Sequence, residues 1–346
     1  MLGGCSSHNA CALVRGEPRD YDEWPKGWGA ADLGPHLDRA ERELRARFFA
    51  DDEVSPWHRA FVEAAGELVH RHTFNVVGST RWNAAFAYLD PARGRANLTI
   101  LADTLVDRVR TGGAVVTSRG ELSAGTVVLA AGAYGSPAIL LRSGFGPPVG
   151  EGLADHVGVG MGWRPTQSLQ HDCAAFEGEH PLFMAGTTVK VDDLFLFPAV
   201  DRGYEISAAV FFMKPRSRGR VRLTDADPEA PLAIEHGFLG EVSDAEPLVE
   251  GLRLMRDLVR RAPLALYAEA ELRPGDVDLY EYVRANVRGF FHPTGTCAMG
   301  VVVDERCRVH GDPRLVVGDA SILPTIPRAN TNLTVAAVAE RLAELL

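Results

Sequence analysis

A short apolar run that ends in glycine and continues as a helix constrains the fold of this chain more than any other feature. Residues 125–132 (GTVVLAAG) are rich in β-branched side chains, as a buried strand is, and Gly132 stops the run. Ser136 and Pro137 follow and favour the start of a helix. Such strand–turn–helix junctions place N–H donors against a phosphate or polar ligand edge, although an ordinary structural junction explains the residues equally well. The junction indicates an α/β fold.

Hydrophobic periodicity predicts the other elements. Leu37, Ala40, Leu44 and Phe48 stand at helical spacing in residues 34–49. A Ser55 N-cap and a first-turn Pro56 begin a second helix over 55–70. Short apolar runs separated by turn residues predict an antiparallel sheet between about 157 and 240, including 193–200, 206–213 and 220–224. The remaining predictions are strands over 97–109 and 315–319, and helices over 243–261, 276–288 and 330–346.

Charge and composition exclude several partners. A formal charge of −10 on 346 residues is unsuited to a nucleic-acid surface, which needs clustered Lys and Arg. No stretch approaches the roughly 20 apolar residues of a membrane span. The cysteines, at 5, 11, 173, 297 and 307, form no CxxC pair and no metal-ligand spacing. An odd, scattered set favours a reducing cytoplasm over a disulfide framework, so we expect a cytoplasmic protein without metal.

Three further segments contain residues suited to chemistry. Residues 3–9 (GGCSSHN) combine small residues that let backbone N–H groups approach a ligand, but alone they favour a surface loop. In residues 291–300 (FHPTGTCAMG) a histidine stands among small and apolar residues, where a structural role is the commoner one. Residues 315–340 (LVVGDASILPTIPRANTNLTVAAVAE) contain an Asn-Thr-Asn cap before a helix whose first turn has free N–H donors.

Together with residues 132–147, these segments resemble, in order, the signatures of the glucose–methanol–choline (GMC) oxidoreductases. Those signatures are the GGxSxxN loop, the GAxxSPxxLxxSGxGP segment, the HPxGTxxMG histidine and the closing DASxxP…NxN helix. Lesser similarity covers 15–24, 95–98 and 217–223, so nearly the whole chain is spanned. The GGCSSHN loop resembles the choline oxidase branch.

The resemblance implies FAD as the cofactor and a small-molecule alcohol as the substrate. The implied catalytic residues are His292, which would accept the hydroxyl proton as hydride passes to flavin N5, and Asn330, whose amide would donate to the substrate oxygen. His8 matches a position of covalent flavin attachment, and simple packing on the flavin is equally open. The helix from Asn332 would point at the flavin N1/O2 edge. The implied cofactor-binding set is Gly4, Ser7, His8, Asn9, Ala10, Cys11, Ala12, Val106, Asp319, Ala320, Asn332 and Thr334.

The resemblance also implies two domains. A partial, Rossmann-like FAD-binding domain would comprise residues 1–33, 85–156 and 289–346, and an antiparallel-sheet substrate domain would comprise 157–288. Residues 34–84 would form a helical connection. The FAD domain would expose an unpaired sheet edge, which favours aggregation.

Three departures from the family pattern matter. No GxGxxG precedes the GGCSSHN loop, which suggests a start placed too late or a short protein that binds FAD weakly or not at all. The spacer before residues 150–156 (GEGLADH), which resemble GxNLxDH, is short. Lys214 stands where choline oxidases place a histidine, and no aromatic cage is evident, which disfavours choline.

Two other functions stay open: a non-catalytic remnant acting as a binding or accessory protein, and a lyase on the same scaffold. The sequence leaves undecided whether oxygen or another carrier accepts the electrons, and whether the chain forms a homo-oligomer.

Overall fold

The computed structural model describes residues 1–110, 112–179, 187–201 and 205–346. Its α-helices are α1 (Pro18–Asp22), α2 (Ala30–Glu43), α3 (Pro56–Ala65), α4 (Gly132–Arg142), α5 (Gln167–Glu179), α6 (Ala245–Val259), α7 (Leu279–Asn286) and α8 (Thr331–Leu345).

The strands are short, apart from those of one large sheet. They are β1 (Ala12–Leu13), β2 (Val69–Arg71), β3 (Thr73–Phe74), β4 (Val76–Val77), β5 (Thr80–Arg81), β6 (Val106–Arg110), β7 (Ala114–Thr117), β8 (Gly120–Ser123), β9 (Val127–Leu129), β10 (Glu151–Leu153), β11 (Val157–Pro165), β12 (Thr187–Val191), β13 (Leu194–Asp201), β14 (Glu205–Phe212), β15 (Gly219–Arg222), β16 (Ala233–Glu235), β17 (Ala268–Arg273), β18 (Arg288–Gly289), β19 (Arg308–Val309) and β20 (Asp312–Val317).

The large sheet is antiparallel and has the order β17-β11-β14-β13-β12-β2, with β18 also paired to β11. One face packs against α3 and α6, and buries side chains such as Trp57, Met161 and Leu252. This confirms the antiparallel sheet predicted from the spacing of apolar runs. The helix α5, rich in helix-forming residues, interrupts the strands where the sequence predicted only sheet.

A second core lies around a parallel strand pair. β9 and β20 are parallel, with Leu315 opposite Val127 and Val317 opposite Leu129, and β19 pairs with β20 from the other side. The helix α4 follows β9 as predicted, but it begins at Gly132 and not at Ser136-Pro137, and α8 packs against α2. Pro137 is tolerated inside α4 because the Ala133 carbonyl, which a residue 137 N–H would otherwise occupy, accepts the Thr296 hydroxyl at 2.7 Å. The α/β class is therefore confirmed. In the described chain β9 is the last strand of its sheet, and Val128 on it is 43% exposed.

Several predicted elements have the wrong bounds, among them the helix predicted over 55–70, which ends at Ala65. The helix predicted over 34–49 begins earlier and ends at Glu43, because Arg45 takes a left-handed φ of 53° and lays its guanidinium over the Trp82 ring. Phe48, assigned to the helix's apolar face, is 56% exposed. The strand predicted over 97–109 exists only from Val106 onward, since the preceding residues have no partner strand to complete a ladder.

The region between the two cores is more mixed than a helical connection. The second helix begins at Pro56 with Ser55 as its N-cap, as predicted, but four short strands follow it and β2 joins the large sheet. Leu37 of α2 and Leu44, the residue that follows α2, belong to the core around the parallel strands. Among the described residues, no helix combines the length and apolarity that a membrane crossing requires.

Candidate active site

His292 lies at the seam between the two cores. It follows the short strand β18, and the residues after it pair with those before β11: the N–H of Thr294 donates to the Ala154 carbonyl at 2.9 Å, and the N–H of Ala154 donates back at 3.0 Å. This pairing brings His292 beside Asp155 and His156, although they are more than 130 positions apart in the sequence. The FHPTGT segment therefore meets the LADH segment side by side.

Two side chains contact the His292 ring, one at each nitrogen. His292 Nδ1 lies 2.9 Å from His156 Nδ1, and His292 Nε2 lies 3.2 Å from Asn330 Nδ2. The Phe290 ring packs at 4.6 Å between centroids. The His292 side chain is half-buried, so the site remains open to a small molecule.

Both imidazoles are neutral at physiological pH. Burial lowers the pKa of His292 well below its ordinary value, and the adjacent His156 lowers it further. Burial lowers the pKa of His156 to about 3, and the charge of Lys214 acts in the same direction. A neutral His292 retains one nitrogen lone pair, which a proton acceptor requires.

Asp155 holds the backbone that presents the histidine. Its Oδ1 accepts the N–H of His292 at 2.9 Å. Burial raises the pKa of Asp155 to about 6, against the opposing effect of backbone N–H groups that include those of His292 and Phe290. Phe291, between those two residues, has a left-handed φ of 61° and is 91% exposed. Such a conformation costs about 1–3 kcal/mol in a bulky residue and is found at functional sites.

Asn330 is held in place by the loop before α8. Arg328 donates its backbone N–H to Asp20 Oδ2 at 2.8 Å, and its guanidinium forms ion pairs with Asp20 and Asp193. Lys214 donates to the Ile326 carbonyl at 3.0 Å. This ionic cluster joins α1, the large sheet and the loop into α8.

The start of α8 offers donors that fit the flavin end of FAD. Asn330 is its N-cap, but the amide faces His292 and makes no capping bond. The first-turn N–H groups of Thr331, Asn332 and Leu333 thus have no side-chain cap, and Asn332 Nδ2 is buried without a hydrogen-bond partner. Unpaired donors at a helix N-terminus suit an electronegative ligand edge.

Asp319 ties β20 to α4 rather than presenting a free carboxylate. Its Oδ2 accepts the N–H of Gly132 at 2.9 Å and the hydroxyl of Ser136, and its Oδ1 accepts from Ser321 N at 2.8 Å and from Ser321 Oγ at 2.6 Å. The Ala320 carbonyl accepts the N–H of Gly295 at 3.3 Å. Asp319 therefore connects the end of β20 with the start of α4 that follows β9, and Ala320 contacts the segment that contains His292.

The N-terminal loop forms a 3-10 turn over Gly4–Ser7. Ser7 Oγ donates to the Leu2 carbonyl at 2.7 Å, and Asn9 Oδ1 accepts from Cys11 N at 3.0 Å and from Arg81 at 3.2 Å. The side chain of His8 is exposed and available. Burial raises the pKa of the Tyr134 hydroxyl to about 12, and the charges of Asp155 and Cys5 act in the same direction. Because Tyr134 is influenced by both Asp155 and Cys5, the N-terminal loop lies near the His292 site.

The other predicted cofactor-binding residues are dispersed. Thr334 Oγ1 is hydrogen-bonded to the Tyr21 hydroxyl at 2.9 Å, and Cys11 is fully buried. Gly4 and Ala10 are exposed, Ala12 lies in β1 and Val106 begins β6. The structure thus brings together His292, Asn330 and Asn332, and separately Asp319 and Ala320 with Gly295.

Sequence reasoning missed Asp155 and His156 as members of the site. The only signal was the resemblance of GEGLADH to GxNLxDH, which indicated no role. Two surface hollows of about 650 and 510 Å³ lie elsewhere and include neither His292 nor Asn330. Within the described ranges, no group of three or more His, Cys, Asp or Glu side chains is arranged to hold a metal.

Comparisons with known proteins agree with the motifs. The family profiles described as GMC oxidoreductase match residues 1–158 and 215–339. The chain is 31% identical to 5-(hydroxymethyl)furfural oxidase of Methylovorus sp. (strain MP688), over all of this chain and 82% of that protein. It is 28% identical to oxygen-dependent choline dehydrogenase of Klebsiella pneumoniae subsp. pneumoniae, over all of this chain and 81% of the relative.

A solved structure has the same fold. The crystal structure of pyridoxine 4-oxidase from Mesorbium loti matches with a TM-score of 0.85 and 26% identity, over 97% of this chain and 82% of that one. The alignment to the furfural oxidase spans 437 positions, more than the 346 residues here, so this chain has internal gaps relative to it. The chain belongs to the glucose–methanol–choline oxidoreductase family and is an FAD-dependent enzyme that oxidises CH–OH groups.

Proposed function

We propose that this chain oxidises a primary alcohol to an aldehyde, with His292 as the acceptor of the hydroxyl proton and Asn330 as the donor that orients the substrate oxygen. One observation carries the proposal: a neutral, half-buried His292 has its Nε2 3.2 Å from the Asn330 amide nitrogen. A base and a hydrogen-bond donor thus converge on one point, as deprotonation of an alcohol requires.

The two side chains divide the work. The imidazole takes the proton as the O–H bond breaks, and it is neutral beforehand because burial disfavours its charged form. The Asn330 amide donates to the oxygen as negative charge develops there. FAD, when bound, supplies the two-electron acceptor for this oxidation. The free donors at the start of α8, with Asn332 Nδ2, would hold the flavin's electronegative edge.

The residues near His292 favour an uncharged ring alcohol. Phe290 stacks on Phe211 with 3.6 Å between centroids, and the exposed Phe291 presents a bare aromatic surface beside the histidine. Two of the relatives are described as oxidases of 5-(hydroxymethyl)furfural and of pyridoxine, and both compounds carry a hydroxymethyl group on a ring. Lys214 close to His156 would repel a quaternary ammonium, which disfavours choline.

The exposed edge strand β9 favours a second function, that of a non-catalytic binding protein. Val128 on that edge is 43% exposed, and β9 pairs with β20 on one side only in the described chain, so that another chain can add to its free side. In this alternative the chain keeps the motif residues but does not oxidise an alcohol.

The test is product formation by the purified chain supplied with FAD. 5-(Hydroxymethyl)furfural and choline are offered separately, with oxygen or an artificial electron acceptor, and the carbonyl product is quantified. We expect aldehyde from the furfural alcohol and little from choline. Acid precipitation of the same sample shows whether the flavin remains bound to the protein, as attachment at His8 would require. Flavin uptake without product from any of a panel of primary alcohols would contradict the proposal and favour the binding protein.

A further inference from the structure

The ring of His156 lies between a backbone carbonyl and the proposed base. Its Nε2 is 2.9 Å from the Pro327 carbonyl oxygen, and its Nδ1 is 2.9 Å from His292 Nδ1. The side chain is completely buried, so no water competes for either nitrogen. The proposed chemistry does not itself use this residue.

The carbonyl decides where the proton of His156 resides. A carbonyl oxygen can only accept, so His156 Nε2 must carry the hydrogen. Burial lowers the pKa of His156 to about 3, which keeps the ring neutral with a single N–H. Its Nδ1 is therefore a bare acceptor, and the short contact with His292 Nδ1 requires the hydrogen to come from His292. If His156 carried its hydrogen on Nδ1 instead, the lone pair of its Nε2 would face the lone pairs of the Pro327 carbonyl oxygen.

From these contacts we infer that His156 is a positioning residue that fixes the tautomer of His292, with the proton on Nδ1 and the lone pair on Nε2. The contact with Asn330 agrees with this tautomer, because the amide nitrogen, a donor, lies 3.2 Å from His292 Nε2. Each hydrogen bond along the line from Pro327 through His156 and His292 to Asn330 then has one donor and one acceptor. The inference deepens the proposed function and rests on it for its catalytic meaning.

The contact at Nδ1 accommodates the product of proton transfer, while at Nε2 the substrate oxygen replaces His292 as the acceptor for the Asn330 amide. When the substrate O–H bond breaks and a new N–H bond forms at His292 Nε2, the oxygen keeps the electron pair and His292 becomes an imidazolium. Its Nδ1–H continues to donate to His156, and the hydrogen bond becomes charge-assisted and stronger. Transfer of the Nδ1 proton on to His156 would place the positive charge in a completely buried ring, whereas His292 is only half-buried. The positive charge therefore stays on His292.

Two variants isolate the acceptor nitrogen. His156→Asn places an amide oxygen near the position of Nδ1, whereas His156→Leu has similar bulk and no acceptor. Both lose the bond to Pro327, so this loss cancels in the comparison. Any difference between them therefore reports the contact with His292.

The measurement is ¹⁵N NMR of histidine-labelled protein with FAD present, with His292 assigned from the resonances lost in His292→Gln. We expect the Nδ1–H tautomer in the wild type and in His156→Asn, and a shift toward the Nε2–H form in His156→Leu. We expect kcat in the leucine variant to be roughly 10- to 100-fold below that of the asparagine variant.

A wild-type His292 with its proton on Nε2 overturns the inference, and this result does not depend on either variant folding. An unchanged Nδ1–H tautomer in a folded His156→Leu protein overturns it as well. If His292→Gln keeps full turnover while the wild-type tautomer is as expected, the proposed function fails and the tautomer assignment stands.

Discussion

Two buried histidines in this molecule make nearly the same contacts and lead to different outcomes. At the start of α3, His58 has its Nε2 3.0 Å from the Pro198 carbonyl and its Nδ1 against the hydroxyl of Ser55. Beside β11, His156 has its Nε2 2.9 Å from the Pro327 carbonyl and its Nδ1 against His292. In each case the carbonyl fixes the tautomer and leaves Nδ1 as an acceptor.

The two histidines differ in the group that their Nδ1 contacts, Ser55 for His58 and His292 for His156. Ser55 is the N-cap of α3 and also accepts the backbone N–H of His58, so that cluster closes on itself and stabilises a helix start. Ser55 and His58 are each 1% exposed. His292 is half-buried, so the hydrogen bond from its Nδ1 to His156 leaves Nε2 as the acceptor, on a ring that a substrate can reach. We therefore expect His58 to serve only the fold, and His156 to position the proposed base, because only the second hydrogen-bond chain reaches a nitrogen open to substrate.

The largest expected effect is on kcat and comes from a substitution in the His156–His292 cluster. His292→Gln removes the proton acceptor, so we expect kcat to fall by about 10²- to 10⁴-fold, while the melting temperature changes little because the ring is only half-buried. Steady-state turnover and thermal unfolding are measured on the same preparation. Retention of more than a tenth of the activity would place the base elsewhere.

A smaller loss is expected from Asn330→Ala. The amide donates toward the developing negative charge, so its removal lowers kcat by about 10²- to 10³-fold. Because the side chain makes no capping bond to α8, helix stability should stay unchanged. Circular dichroism and turnover test the two halves of this prediction, and a variant that unfolds would show a capping role instead.

His58→Leu should have the opposite profile. It removes the acceptor of the Ser55 hydroxyl proton and the donor to the Pro198 carbonyl, and each buried group that loses its partner costs about 1–3 kcal/mol in the free energy of unfolding. Urea unfolding measures this loss, with His171→Leu as the control, because the His171 side chain is 84% exposed. The folded fraction should retain the wild-type kcat, and a fall in kcat would make the first cluster part of the site.

The last prediction concerns a pH dependence of stability, to which the buried histidines of both clusters and the separate buried His72 contribute. Burial lowers the pKa values of His58 to about 4 and of His72 and His156 to about 3, so the folded state binds fewer protons than the unfolded state below about pH 6.5. The free energy of unfolding should therefore fall with decreasing pH, by about 1.4 kcal/mol per pH unit for each histidine. Asp155, whose pKa is raised to about 6, acts in the opposite direction between its unfolded and folded values, but it is a single group.

Urea unfolding at about pH 7 and about pH 5 measures this slope. His72→Gln cannot take up a proton and should reduce the slope by the share of one histidine. His171→Gln, at an exposed position, should leave it unchanged. An equal slope in His72→Gln and the wild type would show that His72 titrates normally in the folded protein.

The sequence predicted what depends on local chemistry. Ser55 and Pro56 begin a helix, and Gly132 follows a buried strand where a helix begins. The Asn-Thr-Asn segment marks the start of α8, although the Asn330 side chain makes no capping bond. It failed where a neighbour decides the outcome. The alternation before Val106 resembles a strand but has no partner there, and the end of α2 depends on Arg45 stacking over Trp82.

The site shows the same division. His292 and Asn330 were identified by their motifs, which are continuous in sequence. The contribution of His156 depends on a contact across 136 positions and on the Pro327 carbonyl, and no local pattern encodes either one. A motif can thus name the proposed base, whereas the residue that we propose fixes its tautomer becomes visible only in the folded chain.

The most direct test of the account is anaerobic reduction of bound FAD in a single turnover. The wild-type chain, His292→Gln and His58→Gln are each loaded with FAD and mixed with 5-(hydroxymethyl)furfural, and the loss of visible flavin absorbance is followed. The account predicts rapid bleaching in the wild type and in His58→Gln, and bleaching slowed by at least about 10²-fold in His292→Gln. Equal bleaching rates in the two variants, or flavin that stays oxidised in the wild type while bound, would contradict it.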